Sequence, residues 1–209
     1  TKKEGLGRAY HQAFSYAIES IKPFVIFQMD ADFSHNPNDI PLFLKEIEKG
    51  ADMVVGARYV KGGSIPKNWK LHRKILSFIA NWTIRFGFMK LNVHEWTNGY
   101  RATKIWLIKD SLDHIKNYSG YVFQIALLDY AIKKGAKVAE IPNNFIDRKY
   151  GKSKIFVSQY IIQILMYIFN YSSFVKFVIV GFIGFAVDFS LAYLFINKFH
   201  VAKAPANML

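Results

Sequence analysis

Phe24-Val25-Ile26-Phe27-Gln28-Met29-Asp30-Ala31-Asp32-Phe33-Ser34-His35-Asn36-Pro37 begins as an apolar run of strand length and ends in an acidic, turn-forming segment. An unbroken apolar run of this length suits a strand covered on both faces, as in a parallel sheet. Upstream, Tyr10, Phe14, Ala17, Ile18 and Ile21 recur at helical spacing over Leu6 to Ile21, and Lys22-Pro23 stops the helix. Downstream, Asn38-Asp39 predicts the cap of a helix that turns Leu42, Phe43 and Ile47 inward and ends at Gly50; Asp52 to Val55 predicts the next strand. A basic helix over Trp69 to Phe86, a helix over Tyr121 to Lys134 stopped by Gly135, and an extended segment from Lys137 to Ile146 follow. Helix and strand alternate, so the class is α/β, with working loops at the carboxyl ends of the strands.

The chain has 209 residues, 24.1 kDa, 52% of them hydrophobic, which is ample for a core and excludes global disorder. Cysteine is absent, which excludes disulfides, thiolate zinc sites and thiol catalysis. The net charge of +13 is unevenly spread: 25 Lys/Arg face 14 Asp/Glu over residues 1–154, against 3 and 1 over 155–209. Between Ile155 and Ile196 the only formal charges are Lys176 and Asp188. As a helix, Phe174 to Ile196 would be about 34 Å long, enough for a hydrocarbon layer of about 30 Å. Its many Phe, Ile, Leu and Val residues outweigh the roughly 3 kcal/mol cost of Asp188, which should face protein.

Gly181 and Gly184 offer a small-residue patch for another helix, a second copy of the chain included. Ile155 to Tyr171 carries Gln159, Gln163 and Asn170 near one stripe, the pattern of a helix lying in the membrane interface. The expected organisation is a basic, water-compatible domain over 1–154, an amphipathic interface helix over 155–173 and the start of a membrane domain over 174–209. The basic front places residues 1–154 on the cytoplasmic side of an integral membrane protein. The chain reads as cut at both ends, and no signal peptide opens it.

Asp30 and Asp32 sit one residue apart and repel each other unless a cation lies between them. Mg²⁺ or Mn²⁺ fits, since both prefer oxygen ligands and leave positions open for phosphate oxygens; the competing reading is a polar turn with a helix cap, and in a metal site Asp30, Asp32 and Ser34 are the expected ligands. His35 is expected to make a helix-entry hydrogen bond, and the other histidines lack metal-ligand spacing. Residues 53–94 carry eight Lys/Arg and no acid, so that segment faces anions. Arg73 and Ser77 are four apart on one helix face, while Trp69, Leu76, Phe78, Ile79 and Trp82 supply apolar contacts. Lys61, Lys67, Lys70, Lys74 and Lys90 suit a solvated face attracted to anionic lipid. Nucleic acid is not the expected partner, because the aromatics fall at core or interface spacing.

Asp30 to Pro37 resembles the D-A-D-x-S-H-x-P segment of dolichol-phosphate mannosyltransferases and related polyprenyl-phosphate glycosyltransferases of the inverting GT-A type. Further matches follow in the same order: Gly5-Leu6-Gly7, Val55-Gly56-Ala57-Arg58-Tyr59, Arg73 with Ser77, Thr97-Asn98-Gly99-Tyr100-Arg101, Gly120-Tyr121-Val122-Phe123-Gln124, and Arg148-x-Tyr150-Gly151-x-Ser153-Lys154. The tail from Phe174 resembles the first helix of GtrA-like membrane domains. Three departures stand out. The family's opening strands, with their base- and ribose-binding residues, have no counterpart, Ala126 replaces an acid two positions after Gln124, and Glu95 replaces an aspartate.

The resemblance implies a partial GT-A, Rossmann-like domain followed by an interfacial and a transmembrane helix. It implies inverting, metal-dependent transfer of mannose or glucose from GDP-mannose or UDP-glucose to a polyprenyl or dolichyl phosphate at the bilayer. Asp32 and Arg58 are then the catalytic residues. Asp30, Ala31, Asp32, Gln124, Arg148 and Lys154 bind the donor, the last two as a lid over its diphosphate. Arg58, Arg73 and Ser77 hold the acceptor phosphate, which is already largely anionic at neutral pH and needs no strong base. Arg101 braces the loop behind the metal site. Two other classes remain: a polysaccharide synthase, whose Q-x-x-R-W-like segment is absent here, and a non-catalytic membrane-anchored fragment assisting lipid-linked sugar translocation.

Overall fold

The computed structural model of the chain describes residues 5–147 and 157–198. Helix α1 (Leu6–Tyr16) continues into one π turn, Ala17–Ile21, and stops at Lys22, which adopts φ 52°. Pro23 explains the stop, because the residue before a proline is driven out of the right-handed helical region. At the other end of α1, the Gly7 amide donates to the Ser119 carbonyl at 2.8 Å. A Cβ on Gly7 would lie 1.8 Å from the Tyr118 carbonyl oxygen, so only glycine permits this approach.

Four strands form one sheet: β1 (Val25–Gln28), β2 (Met53–Ala57), β3 (Arg101–Lys104) and β4 (Val138–Pro142), in the order β1-β3-β2-β4. β2 and β4 are parallel, but β3 runs antiparallel to both β1 and β2. The sheet is therefore mixed, where the apolar run at Phe24 predicted neighbours of one direction. β3 escapes the sequence pattern because it is short and reads Arg-Ala-Thr-Lys; its buried Arg101 and Thr103 alternate with Ala102, leaving no apolar run. Asp52 ties one end of the sheet together, accepting from Lys104 Nζ at the end of β3 at 3.1 Å and from the Lys137 amide before β4 at 3.0 Å.

Helices cover both faces. α2 (Ile40–Glu48) packs Phe43 and Ile47 on Val54, Tyr100 and Ala102. Its entry is set by the Asn36 side chain, which accepts from the Asn38 amide across a short 3-10 turn, Pro37–Asp39. Asp39 holds the N-cap position of α2, within the pair that the sequence predicts, but the side-chain cap bond is made by Asn36 at the head of the 3-10 turn. On the opposite face α1, α4 (Ile105–Ile115) and α5 (Phe123–Lys133) enclose the larger core around Met53, Trp96, Ile125 and Leu128. α3 (Leu71–Gly87) leaves Leu71, Ile75, Phe78, Ile79 and Phe86 exposed.

α6 (Val157–Tyr171) buries Ile164, Tyr167 and Ile168 against the larger core and exposes Ile162, Leu165, Met166 and Phe169. It is both docked and amphipathic. The Tyr167 hydroxyl donates to Asp129 Oδ2 at 2.8 Å, and Lys133 Nζ donates to the same oxygen at 2.7 Å. α7 (Ser173–Asn197) starts at Ser172, whose hydroxyl accepts from the Val175 amide and donates to the Gly87 carbonyl. With 25 residues and a mean hydropathy of 2.1, α7 is long and apolar enough to cross a membrane, and none of its most apolar stretch is buried among the described residues.

Candidate active site

β1 ends at Gln28 and delivers Asp30 to Ser34 as a turn, not as extended chain. Asp32 Oδ1 accepts from the Ser34 amide at 3.1 Å, and Phe33 takes φ 61° to close the turn. Asp30 and Ala31 are exposed, Asp32 is half-buried, and Ser34 is buried. The Ser34 hydroxyl has no hydrogen-bond partner among the described residues. An orphaned buried hydroxyl beside two carboxylates is an oxygen donor set that fits a small hard cation. No group of three or more His, Cys, Asp or Glu gathers among the described residues, so substrate oxygens and water would complete such a shell.

Behind the turn lies a hydrogen-bonded hub. His35 Nδ1 accepts from the Asp30 amide at 3.0 Å, and Nε2 lies 2.9 Å from Asn98 Oδ1. Asn98 Nδ2 donates to the Gly56 carbonyl at 2.6 Å and to Asn143 Oδ1 at 3.1 Å. His35 is therefore not the helix-entry residue predicted from sequence. Burial holds its imidazole below the ordinary histidine value, against the pull of Asp30. The next part of the hub is Glu95, fully buried, which accepts from the Thr97 and Asn98 amides at 3.0 and 3.1 Å. It also receives Arg58 Nε at 2.7 Å and Nη2 at 2.9 Å. Arg101, 0% exposed, donates to the carbonyls of Trp96, Asn98 and Gln124. Burial pulls its guanidinium down to about 10, still protonated at neutral pH.

The residues that the sequence reading expects at an acceptor lie on α3 and beside it. The Arg73 guanidinium stacks 3.8 Å from the Trp69 ring centroid and pairs with Asp147 at 3.3 Å, leaving its side chain 41% exposed. Ser77 Oγ accepts from the Tyr59 hydroxyl at 2.7 Å. Phe145 joins this side to the aspartate turn, its ring 5.8 Å from Trp69 and 5.5 Å from His35. The Ile146 amide donates to the Ser34 carbonyl at 3.3 Å, so the chain passes the aspartate turn just before Arg148. On the other flank of the aspartate turn, buried Gln124 lies against Gly99: a Cβ there would lie 2.8 Å from Gln124 Nε2 and 4.0 Å from Asp30 Oδ1.

The structure thus brings Asp30, Asp32, Ser34 and Gln124 together, with Arg73 across Phe145. Arg58, expected at the acceptor, instead gives its Nε and Nη2 to Glu95 and Thr97. Arg148 and Lys154 lie outside the described residues. The sequence reading missed the roles of Asn98, Asn143 and Phe145. Asn98 could have been found, because it stands inside the Thr97 to Arg101 segment; nothing local marks Phe145. Glu95, read as a departure, is the buried counter-charge of Arg58.

A profile of Glycosyl transferase family 2 matches residues 1–115, more than half of the chain. The chain belongs to glycosyltransferase family 2. Three relatives within known proteins share its sequence. A polyprenol monophosphomannose synthase of Mycolicibacterium smegmatis is 37% identical over 155 residues, 74% of this chain and 57% of that protein. An undecaprenyl-phosphate mannosyltransferase of Micrococcus luteus is 35% identical over 156 residues, 74% of this chain and 62% of that protein. A dolichol-phosphate mannosyltransferase of Pyrococcus furiosus is 32% identical over 207 residues, 94% of this chain and 55% of that protein. That last share carries the likeness of this glycosyltransferase family 2 chain through α6 and into α7. The chain spans 55% to 62% of the length of these relatives.

Proposed function

We propose that this family 2 glycosyltransferase moves a hexose from a nucleotide-sugar to the phosphate of a polyprenyl phosphate at a membrane surface. Mannose is the sugar named in all three relatives, which makes GDP-mannose the first donor to test and UDP-glucose the second. The observation that carries the reading is the placement of the aspartate turn, with its orphaned Ser34 hydroxyl, across Phe145 from the half-exposed Arg73. A helix long enough to span a bilayer follows in the same chain.

Asp30, Asp32 and Ser34 would hold Mg²⁺ or Mn²⁺, which when bound supplies positive charge to the departing nucleoside diphosphate. The protein's own residues do the rest. Gln124, wedged beside Gly99 and Asp30, faces the donor from the α5 side. Arg148 and Lys154 bring further positive charge to the diphosphate. Arg73, with Ser77 one turn along α3, receives the acceptor phosphate, while the exposed Ile75, Phe78 and Ile79 lie against its prenyl tail and the lipid. The acceptor monoester has a second pKa of about 6, so its oxygen is already anionic and no general base is needed. Catalysis consists in holding two like-charged substrates in line. Arg58 acts indirectly, fixing Tyr59 and so the Ser77 hydroxyl. The basic front and the apolar tail support a catalytic domain on the cytoplasmic face.

The test is sugar transfer in membranes from a panel of labelled nucleotide-sugars to undecaprenyl and dolichyl phosphates. Asp32→Ala abolishes transfer and leaves the protein in the membrane fraction. Retained turnover in that variant overturns the metal assignment, and a wild-type protein that labels no prenyl phosphate overturns the reaction.

A further inference from the structure

The aspartate turn is anchored by one side chain from within itself. His35 Nδ1 receives the Asp30 amide, so that nitrogen carries no proton and Nε2–H must be the donor to Asn98 Oδ1. Asn98 cannot be flipped, since its Nδ2 donates to the Gly56 carbonyl. The ring is also caged: it stacks on Tyr100 at 4.8 Å with an 11° interplanar angle and meets Phe145 edge-on at 5.5 Å. The Tyr100 hydroxyl in turn donates to the Asn36 carbonyl at 2.8 Å. His35 is 1% exposed, has both ring nitrogens engaged and has no open side from which to act as a ligand. Its neighbours continue the chain of contacts. Asn98 and Thr97 give their amides to Glu95, which holds Arg58, and the Glu95 amide donates to Glu140 of β4 at 2.7 Å.

We infer that His35 is a positioning residue: through the Asp30 amide it sets the aspartate turn in the geometry that binds the metal and diphosphate, and through Asn98 it registers that turn against the loop holding Arg58. This rests on the reading of Asp30 and Asp32 as the metal loop. The two ring nitrogens have separable tasks. An asparagine can offer an acceptor at the level of Nδ1, whereas a glutamine can offer a donor at the level of Nε2. Outer partners of metal ligands are worth about 10- to 100-fold in metal affinity.

The experiment uses the natural full-length protein in lipid nanodiscs and compares wild type with His35→Ala, His35→Asn and His35→Gln. Manganese uptake in the presence of GDP or UDP is measured by electron paramagnetic resonance, and amide hydrogen exchange is followed over residues 29–36 without metal. His35→Ala weakens manganese uptake at least about 10-fold and speeds exchange in that segment. His35→Asn restores most of both, His35→Gln does not, and the acceptor KM stays within about twofold throughout. Unchanged uptake and exchange in His35→Ala overturn the inference, as does recovery by His35→Gln equal to that by His35→Asn. Should the variants fail to fold, the ¹⁵N spectrum of the wild-type histidines decides: a His35 ring protonated on Nδ1 at pH 7 overturns it, and one protonated only on Nε2 supports it. A wild-type protein that takes up no manganese with either GDP or UDP sinks the metal reading itself, a different result from normal uptake that is indifferent to His35.

Discussion

The Arg58 guanidinium and the Glu95 carboxylate meet at two points, 2.7 and 2.9 Å apart, with side chains only 8% and 0% exposed. Burial works against both charges. The partner's charge and hydrogen bonds overcome it, holding Glu95 below the ordinary carboxylate range and Arg58 above the ordinary arginine value. Removing one partner leaves the other charged and dry. Glu95→Gln therefore costs about 3–5 kcal/mol in chemical denaturation, and Arg58→Met a similar amount. The double variant costs clearly less than their sum. Because the Glu95 value is depressed on folding, its contribution is complete above the unfolded value near 4.5 and is lost as pH falls through the folded one.

Gly99 separates Gln124 from Asp30. Gly99→Ala places a methyl group 2.8 Å from Gln124 Nε2, and the flexible amide end has to move aside. Stability falls by less than about 1 kcal/mol, because only a side-chain end is displaced. Donor KM rises several-fold while acceptor KM holds, as steady-state kinetics with each substrate varied will show.

Arg73 is a partly exposed cation on α3, stacked on Trp69 and paired with Asp147. Arg73→Ala raises the acceptor KM at least about tenfold, the loss of one charge-assisted contact to phosphate, and leaves the donor KM within about twofold. Arg73→Lys keeps the charge but not the flat stack on Trp69, so it recovers only part of the loss. Equal losses on both substrates would remove Arg73 from the acceptor site.

His114 of α4 sits where α4, α5 and α6 meet, beside Asp129 and Lys133 of α5 and Tyr167 of α6. Burial lowers the His114 imidazole below its ordinary 6.5, with Asp129 opposing and Lys133 reinforcing the shift; its Nε2 lies 3.3 Å from the Tyr167 hydroxyl. A depressed folded value means that the unfolded chain binds more protons. The contribution is therefore complete above about pH 6.5 and fades as the medium is acidified below it. Melting temperature falls between pH 7.5 and 5.5. In His114→Phe the fall is smaller but not abolished, because His35 is shifted the same way.

Much of the fold was legible because helical spacing, glycine stops and apolar runs are local. The sequence predicted the strands at Phe24 and Asp52, though not that the first would pair antiparallel with β3, and it predicted the helices over α1, α3 and α5 and the membrane-length segment at α7. It missed β3 and α4: Arg101 and Thr103 are polar, and Arg101 is buried by bonding three carbonyls that the sequence does not reveal. The brace role of Arg101 was readable from its motif, but its acceptors were not. Arg58 shows the limit most clearly. Its charge fitted an anionic acceptor, yet Glu95, 37 positions away, takes the fork instead.

By itself the sequence determined which groups exist and where local order must break: two aspartates at a strand end, a basic stretch free of acids, and an apolar helix long enough for a bilayer. Only the tertiary structure decided which charges neutralise one another. Pairing depends on contacts between residues far apart in the chain. Burial raises the cost of an unpaired ion until the nearest opposite charge becomes its partner. That is why Arg58 became a brace, Arg73 stayed open to solvent, and His35 turned inward to hold the Asp30 amide.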